Sequence, residues 1–274
     1  MAIQTMYITN NITTAQIADA CGVDMIFVDL EQMGKEERQP GLDTVKSKHT
    51  FDDISNVKKV LKNAKLLARI NPLYSGSQQE IDSCIEHGAD IIMLPMFETA
   101  QDAQVFVDMV AGRAKTMLLA ETVAAEQNIE SIAQVAGIDS VHIGLNDMHL
   151  ARGMAFMYEL LTDGTVVHMC QTLAKYGKAY GFGGISRLDK SERIPARQVL
   201  ASHYGLGSSQ IILARSFCDE REITDVRELK MIFETGMRDL RAYEQELSTK
   251  SADFFVENQQ LIAMKVEEIV KNRR

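Results

Sequence analysis

Glu121 and Asp147 close two successive apolar runs, TMLLAE and SVHIGLND, so their carboxylates can converge on one point. Two carboxylates held together repel unless a proton or a cation lies between them. With oxygen donors only, and no Cys or His pair beside them, the cation that suits is a hard divalent one, Mg²⁺ or Mn²⁺. A carboxylate pair that caps the next helices, or is bound by an arginine, satisfies the same spacing. Asp29 and Glu31 end the run MIFVDLE two residues apart, so on a strand they share one face. Arg69 follows Leu66, Leu67 and Ala68, and a guanidinium on a buried strand requires an anion, which it can take through two parallel hydrogen bonds. A substrate carboxylate would serve, and so would Asp29 or Glu31. Arg187 and Arg215 follow the runs AYGFGGIS and SQIILA. Two arginines beside GFGG suit a larger anionic substrate, such as a phosphorylated or carboxylated sugar, or an ion pair with another subunit.

Lysines and histidines narrow the chemistry. Lys65, Lys115 and Lys178 open their apolar runs rather than close them, so none stands where an imine-forming lysine must stand. His142 lies inside its run and reads as a packed or bottom-facing residue, and His168 and His203 fall on helical stretches as outward-facing ones. His87 reads as a helix terminus, and His149 as a helix start near the mouth of the site. His49 ends the charged segment GKEERQPGLDTVKSKH (34–49), which is long enough to be functional rather than idle.

These residues need a scaffold that brings strand ends together. Eight apolar runs, from MYIT to SQIILARS, alternate with stretches whose apolar residues recur at three and four and often stop at Gly. Strands alternating with helices pair in parallel through right-handed crossovers. Eight units predict a (β/α)8 (TIM) barrel, α/β in class, with its chemistry at the carboxyl ends of the strands. A doubly wound open sheet is the weaker alternative, since no GxGxxG turn follows an early strand. The barrel is expected over 1–248. The stretch 249–274 is a surplus helix whose Phe254, Phe255, Leu261, Ile262, Val266 and Ile269 form an apolar stripe. It is expected to pack on a neighbouring subunit of a homo-oligomer or to return to its own barrel.

The chain of 274 residues is 46% hydrophobic, with a net charge of −9 and a pI near 5.2. That balance disfavours nucleic acid or an anionic membrane as partner and leaves a small-molecule substrate. Cys21, Cys84, Cys170 and Cys218 show no CxxC spacing, which fits free thiols in a reducing cytoplasm. No apolar run has membrane-spanning length.

DMIFVDLE, LLARINP, GADIIMLPMFETAQDA and LLAETVAAEQNIESIAQVAGIDSVHIGLNDMHLARG together resemble the HpcH/HpaI aldolase and citrate lyase β-subunit family, from Ile17 to Gly153 and more loosely beyond. The resemblance implies a barrel of the phosphoenolpyruvate/pyruvate type, often oligomeric with a swapped C-terminal helix. It also implies reversible carbon–carbon cleavage through the enolate of a 2-keto acid such as pyruvate, as in a class II aldolase. Glu121 and Asp147 would then be ligands of Mg²⁺ or Mn²⁺, and Arg69 would bind the keto acid. Amides of the turn at Gly144, Leu145 and Asn146 would receive its carboxylate, Asp29 and Glu31 would orient Arg69 and the metal's waters, and Arg215 would touch substrate. Three departures stand out. The family's D-x-E-H reads Asp29-Leu30-Glu31-Gln32 here, and Gln cannot exchange a proton at neutral pH, which leaves His49 as a replacement base. IGLND lacks the Gly-Pro of the aldolases, and LARSFC puts Arg215 where a small residue and an acid are expected. Two other readings stay open: a phosphoenolpyruvate- or phosphosugar-handling enzyme, and a protein that binds metal and keto acid without turnover.

Overall fold

The computed structural model describes residues 2–34, 48–223 and 225–273; most of the charged segment 34–49 lies outside them. Each apolar run becomes a strand: β1 (Gln4–Ile8), β2 (Met25–Asp29), β3 (Lys65–Arg69), β4 (Ile91–Leu94), β5 (Lys115–Ala120), β6 (Ser140–Ile143), β7 (Ala179–Ile185) and β8 (Gln210–Leu213). They pair in sequence order and in parallel, and β8 returns to β1 to close the barrel. Closure excludes the open sheet.

Both faces of such strands are buried, one by the lumen and one by helices. Val28, Ala68, Leu118, Val141 and Ile143 face the helical layer. Met6, Met25, Phe27, Leu67, Ile91, Met93, Met117 and Leu119 fill the lumen. Period two then carries the lumen face upward from Phe27 to Asp29, from Leu67 to Arg69 and from Leu119 to Glu121. The strand-end charges therefore share one mouth.

Helices α1 (Ile12–Ala20), α2 (Phe51–Val60), α3 (Ser77–Glu86) and α4 (Ala100–Val110) alternate with the first five strands. Thr50 with Asp53, and Thr99 with Asp102, form reciprocal capping boxes that start α2 and α4. Between β5 and β6 the expected single helix divides into α5 (Val123–Gln127) and α6 (Ile129–Ala133). After β6 come α7 (Leu145–Ala151), α8 (Glu159–Thr162) and α9 (Thr165–Lys175), and α10 (Ala196–Gly205) precedes β8. α11 (Val226–Leu247) and α12 (Ala252–Lys271) end the chain. α11 seals the amino end of the barrel: Glu244 accepts from the Ile3 amide at 2.7 Å, and Arg241 binds Asp24 at 2.9 Å.

One expectation changes, and one alternative is taken. The sixth strand was expected to run to Asn146 but stops at Ile143, because Gly144 makes a last bond to the Ala120 carbonyl at 2.9 Å and the chain then turns into α7. Asp147 thus stands in the first turn of a helix rather than at a strand tip. The surplus helix α12 lies on its own barrel, against α8 and α10. Ile262 and Val266 are buried there, and Asn258 Nδ2 donates to the Gln198 carbonyl at 3.0 Å and to Ser202 Oγ at 3.2 Å.

Candidate active site

Asp29 and Arg69 are register partners on β2 and β3, so adjacency of the strands alone sets them side by side. Arg69 Nε donates to Asp29 Oδ1 and Nη2 to Oδ2, each at 2.8 Å, a bidentate fork. Glu31 Oε2 lies 3.3 Å from the same Nε. Both acids are 2% exposed. Burial opposes the guanidinium charge, yet Asp29, then Glu31 and Glu121, outweigh it and hold Arg69 protonated far above its usual range. Of the anions open to Arg69 from sequence, the structure supplies Asp29 first, and the side chain keeps 15% of its surface open toward the mouth.

Glu31 is placed by backbone. The Leu30 amide donates to the Arg69 carbonyl at 2.9 Å, and the Glu31 amide to Asp29 Oδ1 at 3.1 Å. Asn71 Oδ1 then accepts from the amides of Gln32 and Met33, each at 2.9 Å. Asn71 is itself steadied through Nδ2 by Glu80 Oε1 at 2.8 Å. At the far end of the charged segment, His49 Nδ1 accepts from the Asp29 amide at 3.0 Å. That bond anchors His49 beside Asp29, in the cavity the two residues share.

Glu121 is 4% exposed, and its Oε1 has no hydrogen-bond partner among the described residues. Burial, offset in part by Arg69, combines with Asp147 and Glu31 to raise its pKa well above the carboxylate range. Asp147 is hydrogen-bonded to it, so the two acids do converge. Gly144 makes this possible: a Cβ there would lie 2.7 Å from Glu121 Cβ and 3.0 Å from Oε2, too close to be accommodated. The expected role of Gly144 as an amide donor to substrate needs correction, since its N–H is committed to Ala120. What it contributes is room. Leu145 and Asn146 remain in the first turn of α7, where amides lack intrahelical acceptors.

Glu31, Arg69, Glu121, Gly144, Asn146 and Asp147 line one cavity of about 260 Å³, small for a ligand site and suited to a compact acid. His142, Leu119 and Ile212 also line it. His142 was expected as packing; it does pack, 1% exposed, yet its Nε2 bonds the Gly183 carbonyl at 2.9 Å from within the lumen. A second cavity of about 260 Å³ holds Asp29, His49, Arg69 and Arg215. Arg187 and Arg215 meet in a third, of about 1090 Å³, which touches the first through Asn146 and Met157. Arg187 is forked onto Asp189 at 3.0 and 3.3 Å, so the cationic pair is partly neutralised within the chain. Neither of the smaller cavities has a lysine among its described residues. His203, expected outward, is buried and stacked on Phe182 at 3.7 Å.

A parallel eight-stranded barrel with buried acids and an arginine at its carboxyl mouth defines a class of enzyme scaffold, and comparison narrows the class. A family model for HpcH/HpaI aldolase/citrate lyase matches residues 5–185, and the chain belongs to that family. Membership gives it a lyase-type function. Among solved structures, an HpcH/HpaI aldolase from Desulfitobacterium hafniense DCB-2 is 16% identical, with a TM-score of 0.61 over 88% of this chain and 93% of that one. An HpcH/HpaI aldolase/citrate lyase family protein from Burkholderia cenocepacia J2315 is 13% identical, with a TM-score of 0.63 over 84% and 95%. The citrate synthase SbnG is 15% identical, with a TM-score of 0.62 over 87% and 94%. At these identities the likeness concerns the fold. No curated protein sequence matches the chain. No helix among the described residues is long and apolar enough to cross a membrane, and the four cysteines are free thiols.

Proposed function

We propose that the chain is a divalent-metal-dependent carbon–carbon lyase that breaks or forms a bond to a 2-keto acid such as pyruvate. The observation that carries this is the orphaned, buried Glu121 Oε1 beside Asp147 in a small cavity shared with Arg69. A buried carboxylate oxygen without a partner is costly, and a hard cation satisfies it. The described residues hold no group of three or more His, Cys, Asp or Glu side chains that could bind a metal. Two carboxylates leave positions for water and for a chelating keto acid, as an open catalytic site needs. Mg²⁺ or Mn²⁺ held by Glu121 and Asp147 would draw electron density from the substrate carbonyl.

The chain's own groups do the rest. Asp29 clamps Arg69 by two bonds, so its guanidinium meets the charge developing on the substrate oxygen without reorganising. Glu31, on the same nitrogen, restrains rotation of the fork. His49 Nδ1 holds the Asp29 amide and so steadies the end of β2 that carries the clamp. Protein stripped by chelator is expected to lose pyruvate-releasing activity and to regain it with Mn²⁺; activity indifferent to chelation contradicts the metal assignment. Gly144→Ala, which crowds Glu121, is expected to weaken Mn²⁺ binding roughly 10- to 100-fold, read by titrating free Mn²⁺ through its paramagnetic resonance signal. Unchanged affinity would mean that Glu121 is not a ligand.

A further inference from the structure

One buried polar atom of a residue that lines the cavity has no place in this chemistry. The Nε2 of His142 bonds a carbonyl, that of Gly183, so it must carry the ring proton. Its Nδ1 is then a lone-pair acceptor, and that atom has no hydrogen-bond partner among the described residues. The ring is held neutral, since burial pushes its pKa down to about 4 against the opposing bond to Gly183. Gly183 adopts φ +51°, a left-handed conformation that glycine tolerates, and a Cβ there would strike Leu145 Cδ1 at 2.7 Å.

The location gives this acceptor meaning. His142 pairs in register with Leu119, one lumen layer below Glu121, so it lies beneath the acids and Arg69. Its companions at that depth, Leu119 and Ile212, are apolar. A keto-acid head offers only acceptors, and Arg69 and the cation between Glu121 and Asp147 receive them. Nothing in that head can meet a neutral acceptor on the floor. The substrate carbon chain must bring a donor.

We propose that His142 is a specificity residue whose Nδ1 accepts a hydrogen bond from a hydroxyl on the carbon chain of the 2-keto acid, next to the keto carbon. The inference rests on the keto-acid reading above and adds the substrate class: hydroxylated 2-keto acids over their alkyl analogues. A buried acceptor discriminates in this way because an analogue lacking the hydroxyl leaves it unpaired.

Hydroxypyruvate and 2-ketobutyrate test this, because they match in size and differ by a hydroxyl in place of a methyl. Calorimetric titration into the Mn²⁺-loaded protein is expected to show hydroxypyruvate binding about tenfold more tightly. His142→Asn, which keeps an acceptor near the Nδ1 position, should retain that preference. His142→Gln, which keeps a donor toward Gly183, and His142→Phe, which keeps ring volume, should lose it while binding 2-ketobutyrate about as well as the parent protein. Equal binding of the two acids by the parent protein overturns the proposal, and that comparison stands even if a variant fails to fold. A preference that survives in His142→Phe overturns it too. If Mn²⁺ binds but neither acid does, the keto-acid reading itself fails.

Discussion

Arg69→Ala is expected to abolish measurable turnover and to destabilise the fold by roughly 3–5 kcal/mol, the cost of stripping a buried ion pair of one partner. The lost cation is the counter-charge for Asp29, Glu31 and Glu121, all 4% exposed or less. Without it, buried acids at the mouth face one another, and they must take up protons or open the barrel end to water. Arg69→Lys keeps the charge but replaces a planar fork by a point charge. Its stability should recover by more than half, while turnover stays about 100-fold down, because the second bond to Asp29 that aims the guanidinium is gone. Urea unfolding and pyruvate release, measured on the same preparations, separate the two effects. Arg69→Ala within about 1 kcal/mol of the parent protein would show that water already reaches these acids. Asp29→Asn in the Arg69→Ala background should recover part of the loss, since it removes one of the stranded charges.

Mild acid should weaken the fold through its buried histidines. His142 and His203 are buried and neutral. Burial depresses His142 to about 4, and burial together with His142 depresses His203 well below its ordinary value. The folded chain therefore refuses protons that the unfolded chain accepts near pH 6.5. Where the unfolded state binds more protons, stability rises with pH; the histidine contribution is thus full above about pH 6.5 and is lost as pH drops toward 4, while Glu121, raised in the folded chain, contributes in the opposite sense. For His142 the drop from 6.5 to about 4, at about 1.4 kcal/mol for each pH unit, amounts to about 3 kcal/mol, and His203 adds to it. Unfolding in chelator between pH 7 and 5 should show this slope, and a His142→Asn, His203→Gln double variant should flatten it. A slope unchanged in the double variant would mean that one or both rings take up a proton without unfolding.

The barrel was legible because its signal is repeated: eight apolar runs, each ending in polar residues at a similar depth. Asp29, Arg69 and Glu121 were legible for the same reason, since a charge at the tip of an apolar strand projects into the mouth when it shares parity with the lumen layer. Asp147 was found in the right place on the wrong element. The apolar run continues through Leu145, and nothing in HIGLND marks the switch from period two to a helical turn except Gly144. His142 was read as packing alone because Val141 and Ile143 beside it are apolar too. In a barrel both faces of a strand are apolar, so alternation does not show which face is the lumen. For His203 the signal was present and unused: Val199, Leu200 and His203 recur at helical spacing on the face that α10 buries.

The chain on either side of the charged segment is fastened to neighbouring strand ends, those of β2 and β3. Asn71 grips the amides of Gln32 and Met33, and the Asp29 amide grips His49. Asn71 and Asp29 themselves belong to the β2–β3 scaffold. Closing a longer or shorter connection between two fixed ends changes the free energy only slowly, by about 0.6 kcal/mol per doubling of length. The length of chain that joins these two anchors can therefore vary at small cost in stability while Asn71 and Asp29 keep their places.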